Sequence, residues 1–274
     1  MNLVEAIILG IFQGVAEFLP ISSSGHLVLL QNLFNIKEGN LFFAEMLHFG
    51  TLVSIVIVYF HDIYNIVVDM LKLLGNIIKG KLPKRLSDYQ KLGLFIIVGS
   101  IPTAIIGLSL EDYFENLYTS IIPIGIAFII TGLLLWIAEK NVFKNKDINT
   151  MKYGDAIFIG TFQGIAIIPG ISRSGSTIVA GLFRGLDKSF ATEYSFLLAL
   201  PATFGAFLLG IRGVIKSEID VAIDFPLIIG VVLSTIVGIV SIKLLMRLIK
   251  KGKLYYFSYY LWILGALTII SQII

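Results

Sequence analysis

Two copies of one broken segment decide the fold. The first copy, Gly10–His26, reads GIFQGVAEFLPISSSGH, and the second copy, Gly160–Ser176, reads GTFQGIAIIPGISRSGS. Without a gap, the copies share a Gly-x-Phe-Gln-Gly start and a Ser-x-Ser-Gly pattern near the end. Their chemically informative differences are Glu17, Ser23 and His26 in the first copy against Ile167, Arg173 and Ser176 in the second. A duplicated scaffold with unlike polar residues predicts one composite site built from two halves.

Composition places the chain in a membrane. Its 274 residues are 57% hydrophobic and 14% charged, and the mean hydropathy is +0.91, whereas about a quarter of the residues in soluble domains are charged. We therefore predict an all-α integral membrane protein. The absence of cysteine excludes disulfides, thiolate metal sites and a catalytic thiol. A net charge of +3 indicates no nucleic-acid-binding surface, and a start without basic residues predicts no cleaved signal peptide.

Stretches without Asp, Glu, Lys or Arg predict six transmembrane helices, because a bilayer core of about 30 Å needs about 20 apolar residues per helix. The two copies are too short and too broken to span. Two half-length helices joined by a Ser/Gly/Pro break predict a re-entrant helical hairpin, whose backbone must be satisfied by protein or water. The six stretches are Met46–His61 (extended back through Leu41), Leu92–Leu110, Asn116–Ala138, Tyr194–Ile211, Phe225–Ile242 and Leu254–Ile274.

Loop charge predicts the orientation of these elements. Three segments rich in Lys and Arg belong in the cytoplasm by the positive-inside rule, namely Lys72–Arg85, Lys140–Lys152 and Arg247–Lys253. The two hairpins then enter from opposite faces, and each half carries three spans. This arrangement is an inverted-topology repeat within a single membrane domain, 1–274, with halves of approximately 1–140 and 150–274. The mixed stretch Asp62–Ser87 predicts one or two interfacial helices, and the role it favours is structural, as a basic cytoplasmic loop anchored to lipid headgroups.

Glu17 is a site hypothesis by default, because an ionisable group at membrane depth is costly. Gln13 lies one helical turn before it, on the same face. The two side chains could hold a divalent cation through oxygen ligands, or one could act as an acid or base. The structural alternative is a buried carboxylate that is hydrogen bonded to the neighbouring serine backbone.

The serine run of the first copy predicts a helix start, since serine is a preferred N-cap and free amides at a helix N-terminus bind anions. Helical spacing places His26 one turn after Ser23, where an imidazole could assist a serine hydroxyl. Alternatively, the serines only cap the helix and His26 is a satisfied polar residue.

The second copy offers a guanidinium for phosphate oxygens. Arg173 stands among hydroxyls and glycines, and its planar fork suits phosphate. The amides of Ser172–Gly175 and the Thr177 hydroxyl could complete an oxyanion cradle. The structural alternative is an ion pair between Arg173 and Glu17, which does not exclude function.

Several other polar and aromatic residues are less specific. Glu45, Glu193 and His48 could line the site or clamp the hairpins. A cluster near the C-terminus is typical of an interfacial aromatic belt, and it comprises Tyr255, Tyr256, Tyr259, Tyr260 and Trp262.

These motifs resemble the bacterial undecaprenyl-diphosphate phosphatase family, also called the bacitracin-resistance family. The family's Glu/Gln-x-x-x-Glu element matches Gln13–Glu17, and its Pro-Gly-x-Ser-Arg-Ser-x-x-Thr element matches Pro169–Thr177. The resemblance also covers Glu17–His26, Leu47–Thr51 and Thr192–Leu198, and it extends over the whole chain.

The resemblance implies hydrolysis of undecaprenyl diphosphate to the monophosphate and inorganic phosphate, which recycles the lipid carrier for peptidoglycan synthesis and confers bacitracin resistance. It implies a multi-pass protein of the bacterial cytoplasmic (inner) membrane, with its site open to the outer side, and a divalent cation, Mg²⁺ or Ca²⁺. Gln13 stands where some members have Glu, which removes one formal charge from the metal ligands. The roles implied are Glu17 and Gln13 for metal or acid–base chemistry, Ser23 as nucleophile, His26 as acid–base group or competing nucleophile, Arg173 as phosphate clamp, and Ser22, Ser172, Ser174 and Thr177 for substrate binding.

Direct attack by water is an alternative to Ser23 and His26. The partners expected are a polyprenyl diphosphate substrate and membrane lipid, with no nucleic acid, and a homodimer is compatible with the sequence.

Architecture alone would favour a secondary transporter of an anionic solute, because such proteins also join inverted repeats with broken helices at the midplane. A flippase of a prenyl phosphate lipid is a further alternative.

Overall fold

The computed structural model describes residues 2–34, 41–81, 83–110, 121–140, 145–216 and 224–272, without the side chains of 41 and 213–216. These parts of the chain contain eleven α-helices and no β-strand, which confirms the all-α prediction. The helices are α1 (Leu3–Ala16), α2 (Ser23–Leu33), α3 (Leu41–Val58), α4 (Phe60–Ile78), α5 (Asp88–Ser109), α6 (Ile121–Lys140), α7 (Tyr153–Ile165), α8 (Arg173–Phe183), α9 (Lys188–Lys216), α10 (Phe225–Lys250) and α11 (Tyr255–Ile270).

Local capping signals set where several helices begin. Asn2 and Glu5 form a reciprocal capping box at α1, and Ser87 and Gln90 form another at α5. Asp224 caps α10 by accepting from an amide in its first turn. These pairs satisfy amides that have no partner inside their own helix, so the short polar residues before each apolar run determine the helix start.

A helix lies at each of the six predicted spans, but not all six meet the length and hydropathy expected of a membrane span. Four do so among the described residues, namely α5, α6, α9 (over Lys188–Arg212) and α10. The α3 helix qualifies only together with α4, from which it is bent by 80°. The 16 residues of α11 are apolar but short. The structure therefore supports a multi-pass membrane protein with four or five candidate spans.

The stretch predicted to be interfacial contains one helix, α4. Its exposed apolar residues recur at helical spacing along one face, and they are Phe60, Tyr64, Val67, Leu71, Leu74, Ile77 and Ile78. Because α4 turns away from α3 by 80°, it does not continue the direction of α3. This geometry is the one expected of a helix that lies along a membrane surface.

Each copy of the duplicated segment forms a short helix, a break and a second short helix. The breaks fall between Ala16 and Ser23 and between Ile165 and Arg173. Ser22 caps α2 by accepting from the Gly25 amide at 3.3 Å, and Ser172 caps α8 by accepting from the Gly175 amide at 3.1 Å. The structure thus confirms the break predicted in both copies and the serine-capped helix predicted in the first, and it shows the same cap in the second.

The first helix of each copy packs closely on a long helix of the other half. A methyl group added at Gly10 of α1 would lie 2.6 Å from the Gly230 carbonyl oxygen of α10, and one added at Gly160 of α7 would collide with Gly99 of α5. Gly10 and Gly160 are equivalent positions, so the same close glycine contact occurs twice. Only a residue without a Cβ allows the helix backbones to approach so closely.

The two breaks meet each other. Ser24 of the first copy accepts from the Gly170 amide of the second at 3.3 Å, and Ser174 donates to the Leu19 carbonyl at 3.4 Å. Ser24 and Ser174 are equivalent residues, so the contact is reciprocal. The fold therefore brings the polar residues of both copies to one place, as the composite-site prediction requires.

Candidate active site

Glu17 is the centre of the site. It follows the last residue of α1, and only 6% of its surface is exposed. One carboxylate oxygen, Oε2, accepts from the Gln13 amide at 3.0 Å and from the Ser23 hydroxyl at 2.6 Å. A buried carboxylate requires such partners, and here the partners are two of the residues that the sequence predicted for chemistry.

Arg173 of the second copy binds the other oxygen of Glu17, Oε1. Its guanidinium also donates to the Thr203 hydroxyl and, at 3.4 Å, to the Ala199 carbonyl of α9. The ion pair that the sequence raised as a structural alternative is therefore present. It joins the two copies through a carboxylate that also contacts Ser23, so the pair belongs to the candidate site.

His48 of α3 also faces Glu17, with its Nε2 3.8 Å from Oε2. The Nδ1 atom lies 2.9 Å from the Ala44 carbonyl oxygen. Since the His48 side chain is 29% exposed, it lies where the buried cluster meets the surroundings. Of the two roles considered from sequence, lining the site describes this position.

His26 does not approach the Ser23 hydroxyl, in contrast to the predicted pairing. Its Nδ1 lies 2.7 Å from the Ser22 carbonyl oxygen, and its Nε2 lies 2.6 Å from the Tyr260 hydroxyl. The ring packs against Phe12 and Phe128, and only 5% of the residue is exposed. Both ring nitrogens are therefore engaged, because the imidazole turns back to the carbonyl four residues earlier instead of towards Ser23.

The predicted substrate-binding hydroxyls of the second copy form hydrogen bonds within the protein. Ser172 and Ser174 contact each other at 3.3 Å. Thr177 is within 2.5 Å of the Ser195 hydroxyl and donates to the Arg173 carbonyl at 2.9 Å. Ser22 has the same capping role in the first copy. These residues fix the start of each helix, and through it the position of Ser23 or Arg173.

Part of the predicted oxyanion cradle is already engaged by the protein. The Ser172 amide donates to the Thr131 hydroxyl at 3.2 Å, and the Gly175 amide donates to the Ser172 hydroxyl at 3.1 Å. Both amides therefore stabilise the turn that presents Arg173. The guanidinium is the group of this segment that reaches Glu17.

Gln13 and Glu17 offer oxygen atoms to a cation. The Gln13 Oε1 atom is buried and has no hydrogen-bond partner among the described residues. Those residues contain no group of three or more His, Cys, Asp or Glu side chains arranged to hold a metal. A hard cation such as Mg²⁺ commonly binds one or two protein oxygens together with substrate phosphates, so this donor set fits a cation that is shared with the substrate.

Two site neighbours had no distinguishing signal in the sequence. The sequence places Tyr260 in an interfacial aromatic belt, whereas its hydroxyl contacts His26 in the structure. Thr203 follows Pro201 in a long apolar helix, and nothing local indicates that it contacts Arg173. Both contacts join distant parts of the chain, so only the tertiary fold reveals them.

Comparisons with known proteins agree with this architecture and these motifs. The family described as "Bacitracin resistance protein BacA" matches residues 6–267. The undecaprenyl-diphosphatase of Alkaliphilus metalliredigens is 46% identical, with all of both chains covered. That of Carboxydothermus hydrogenoformans is 43% identical over 99% of this chain and 98% of the relative, and that of Halothermothrix orenii is 42% identical over 98% of each. The chain belongs to the bacitracin resistance protein BacA family.

Proposed function

We propose that the site around Glu17 hydrolyses the terminal phosphate of undecaprenyl diphosphate. The chain is an undecaprenyl-diphosphatase, a membrane-bound hydrolase that yields undecaprenyl phosphate and inorganic phosphate. This reaction recycles the lipid carrier of cell-wall synthesis and underlies bacitracin resistance. The observation that supports the site is the convergence of Ser23 and Arg173 on opposite oxygens of Glu17.

The reaction begins with attack of the Ser23 oxygen on the terminal phosphorus. A new oxygen–phosphorus bond forms, the bridging bond to the inner phosphate breaks, and undecaprenyl phosphate leaves. Glu17 accepts the hydroxyl proton, because its Oε2 already lies 2.6 Å from the Ser23 oxygen. Water then hydrolyses the phosphoserine, which releases inorganic phosphate and restores Ser23.

Arg173 stabilises the charge on the transferring phosphate. Its guanidinium forms two-pronged hydrogen bonds with phosphate oxygens more readily than an ammonium group does. Thr203 and Ala199 hold it from the side of α9. Such fixed positive charge at a buried site is the main means by which proteins accelerate phosphoryl transfer.

A divalent cation, Mg²⁺ or Ca²⁺, completes the charge balance. Arg173 and Glu17 neutralise each other, whereas a diphosphate carries several negative charges. Gln13 Oε1 and Glu17 would hold the cation, and Gln13 supports this role because its buried oxygen is otherwise unpartnered among the described residues. When bound, the cation neutralises charge on the phosphate oxygens.

We place the site in the bacterial cytoplasmic membrane with its opening on the outer side. Six spans, formed by α3, α5, α6, α9, α10 and α11, surround two re-entrant hairpins in an inverted-topology repeat. The reciprocal contacts between the copies and the basic segments at Lys72–Arg85, Lys140–Lys152 and Arg247–Lys253 support this arrangement. The first copy then enters from outside and meets the second near the membrane centre.

Phosphate release from undecaprenyl diphosphate in detergent with Mg²⁺ tests the proposal. Wild-type protein should release phosphate, EDTA should stop the reaction, and Ser23→Ala and Arg173→Ala should each lose at least about 100-fold in rate. Ser100→Ala is the matched control, because the described hydrogen bond of the Ser100 hydroxyl stays within α5, where it donates to the Ile96 carbonyl. The serine mechanism is wrong if Ser23→Ala keeps most of the activity while Arg173→Ala and His26→Ala lose it.

A coupled flippase activity is the second candidate function. Broken helices that meet in equivalent contacts are typical of secondary transporters, and here Ser24 and Ser174 make such contacts. Vesicles with undecaprenyl phosphate confined to one leaflet separate the two functions. Transfer to the other leaflet would support flipping, whereas unchanged asymmetry during active hydrolysis would support hydrolysis alone.

A further inference from the structure

Ser22 has a strained backbone that its counterpart lacks. Its φ is 70° and its ψ is 97°, whereas Ser172 has a φ of −72° and a ψ of 119°. A positive φ is unusual for a residue with a side chain, and it persists only where the surroundings hold it in place. Both serines cap their helices through the same hydroxyl contact, so capping does not account for the difference.

The two copies differ in what binds the carbonyl of this serine. In the first copy, the Ser22 carbonyl accepts from His26 Nδ1 at 2.7 Å and from the His26 backbone amide at 3.3 Å. In the second copy, Ser176 replaces His26, and the Ser172 carbonyl accepts the Ser176 backbone amide at 2.9 Å. The hydrogen bond from His26 Nδ1 is therefore found in the copy whose serine is strained, and the copy whose serine is unstrained has a serine in place of this histidine.

Tyr260 fixes the other side of the same imidazole. A carbonyl oxygen can only accept, so His26 Nδ1 must carry a proton, and the Tyr260 hydroxyl lies 2.6 Å from Nε2. The planes of the two rings are almost parallel, with 6° between them. With Phe12 and Phe128 packed against it, the imidazole cannot turn towards Ser23 without giving up both hydrogen bonds.

Ser23 is the residue that this strained position presents to the site. It is the first residue of α2 and directly follows Ser22, so the direction in which the chain enters α2 sets the position of its hydroxyl. That hydroxyl lies 2.6 Å from Glu17 Oε2. A displacement of about 1 Å at a reacting group can reduce the rate about 100-fold.

We propose that His26 is a positioning residue, held by Tyr260, which keeps Ser22 in its strained conformation and so aims the Ser23 hydroxyl at Glu17. The proposal rests on the proposed function, because it assumes that Ser23 reacts. In this role His26 contributes a hydrogen-bond donor to a carbonyl, and its exchange of protons with the substrate is not required.

A rescue experiment tests this role. Glycine adopts a positive φ without strain and is also an accepted N-cap residue. Ser22→Gly should therefore make the conformation accessible without the imidazole and still allow α2 to begin at Ser23. We expect His26→Ala to lower kcat at least about tenfold with little change in KM. Adding Ser22→Gly to His26→Ala should then raise kcat at least about threefold above that of His26→Ala alone. The control is Asn145→Gly added to His26→Ala, since Asn145 has a φ of 53° in an exposed loop far along the chain; it should restore nothing.

Two replacements of the imidazole separate positioning from proton transfer. Asn places an amide N–H where Nδ1 stood, whereas Gln extends it towards Nε2, and neither side chain titrates. His26→Asn should therefore retain more activity than His26→Gln. Equal inactivity of the two, together with no rescue by Ser22→Gly, would overturn the proposal and favour direct proton transfer by His26.

The readouts also distinguish failure of this proposal from failure of the proposed function. If wild-type protein releases no phosphate from undecaprenyl diphosphate, the proposed function is wrong. If wild-type protein is active and the rescue fails, only the positioning role is wrong. Each variant is first checked for a single size-exclusion peak. If His26→Ala does not fold, the comparison uses Tyr260→Phe with and without Ser22→Gly. The same partial rescue is expected there, and no rescue would contradict the positioning role.

Discussion

Ser23 and Arg173 occupy the same position in the two copies, yet they bind opposite oxygens of one carboxylate, Glu17. The duplicated scaffold delivers each residue as the first of a short helix, α2 or α8. One copy therefore contributes a hydroxyl and the other a guanidinium to the same group. The second copy has Ile167 in place of Glu17, so the composite site is built once and not twice.

Removing the charge of Glu17 should disable the site and uncouple its neighbours. Glu17→Gln leaves Arg173 without its carboxylate and Ser23 without a proton acceptor, so we expect phosphate release to fall at least about 100-fold. Because Arg173 acts through the same cluster, Arg173→Gln should cost much less in the Glu17→Gln background than in the wild type. Additive losses in this double-mutant cycle would show that the two residues act independently.

The charge of residue 13 should set the cation requirement. Gln13→Glu adds a carboxylate beside Glu17, so we expect the Mg²⁺ concentration for half-maximal phosphate release to fall roughly tenfold. Gln13→Leu removes the Oε1 atom, which has no hydrogen-bond partner in the part of the chain that the structure describes, and should raise that concentration. A titration of activity against Mg²⁺ after EDTA treatment measures both shifts. The same half-maximal concentration in all three proteins would exclude Gln13 as a cation ligand.

The stability of the protein should depend on glycine at the close contact between α1 and α10. Gly10→Ala places a methyl group 2.6 Å from the Gly230 carbonyl oxygen, and such overpacking should cost about 1–3 kcal/mol. The control is Gly154→Ala in α7, where an added methyl group meets nothing within 4 Å and where alanine favours the helix by up to about 1 kcal/mol. Thermal unfolding in detergent should show a lower midpoint for Gly10→Ala only. Equal midpoints would mean that the helices move apart at little cost.

The predicted topology places the two ends of α5 on opposite sides of the membrane. The chain has no cysteine, so single substitutions can report sidedness against a silent background. Lys81→Cys should react with an impermeant thiol reagent only from the cytoplasmic side, and Leu110→Cys only from the outer side. Labelling of both positions from one side in intact cells would contradict the inverted repeat.

Local signals in the sequence predicted much of the fold. Serine before a helix, as at Ser22 and Ser172, fixes where α2 and α8 begin, and such caps act over only a few residues. The repeat itself indicated that Glu17 and Arg173 would belong to one site, because equivalent segments fold alike. The number of spans was less predictable, since α3 ends in an 80° bend at Tyr59 and α11 has only 16 residues.

The direction of individual side chains could not be predicted from local spacing. His26 lies one turn after Ser23, but its imidazole turns to the Ser22 carbonyl and to Tyr260, far away in the sequence. Thr203 contacts Arg173 from another helix, 30 residues further along the chain. Such contacts depend on which helices pack together, and the apolar pattern of a membrane helix does not specify its neighbours.

The most direct test of the composite site is to trap the phosphate on the protein. Purified protein is mixed with undecaprenyl diphosphate labelled with ³²P at the terminal phosphate, the reaction is stopped with acid within milliseconds, and the labelled peptide is sequenced. The account predicts label on Ser23, and both label and turnover lost in Ser23→Ala. Rapid turnover with no labelled protein, together with full phosphate release by Ser23→Ala, would contradict it and assign the attack to water.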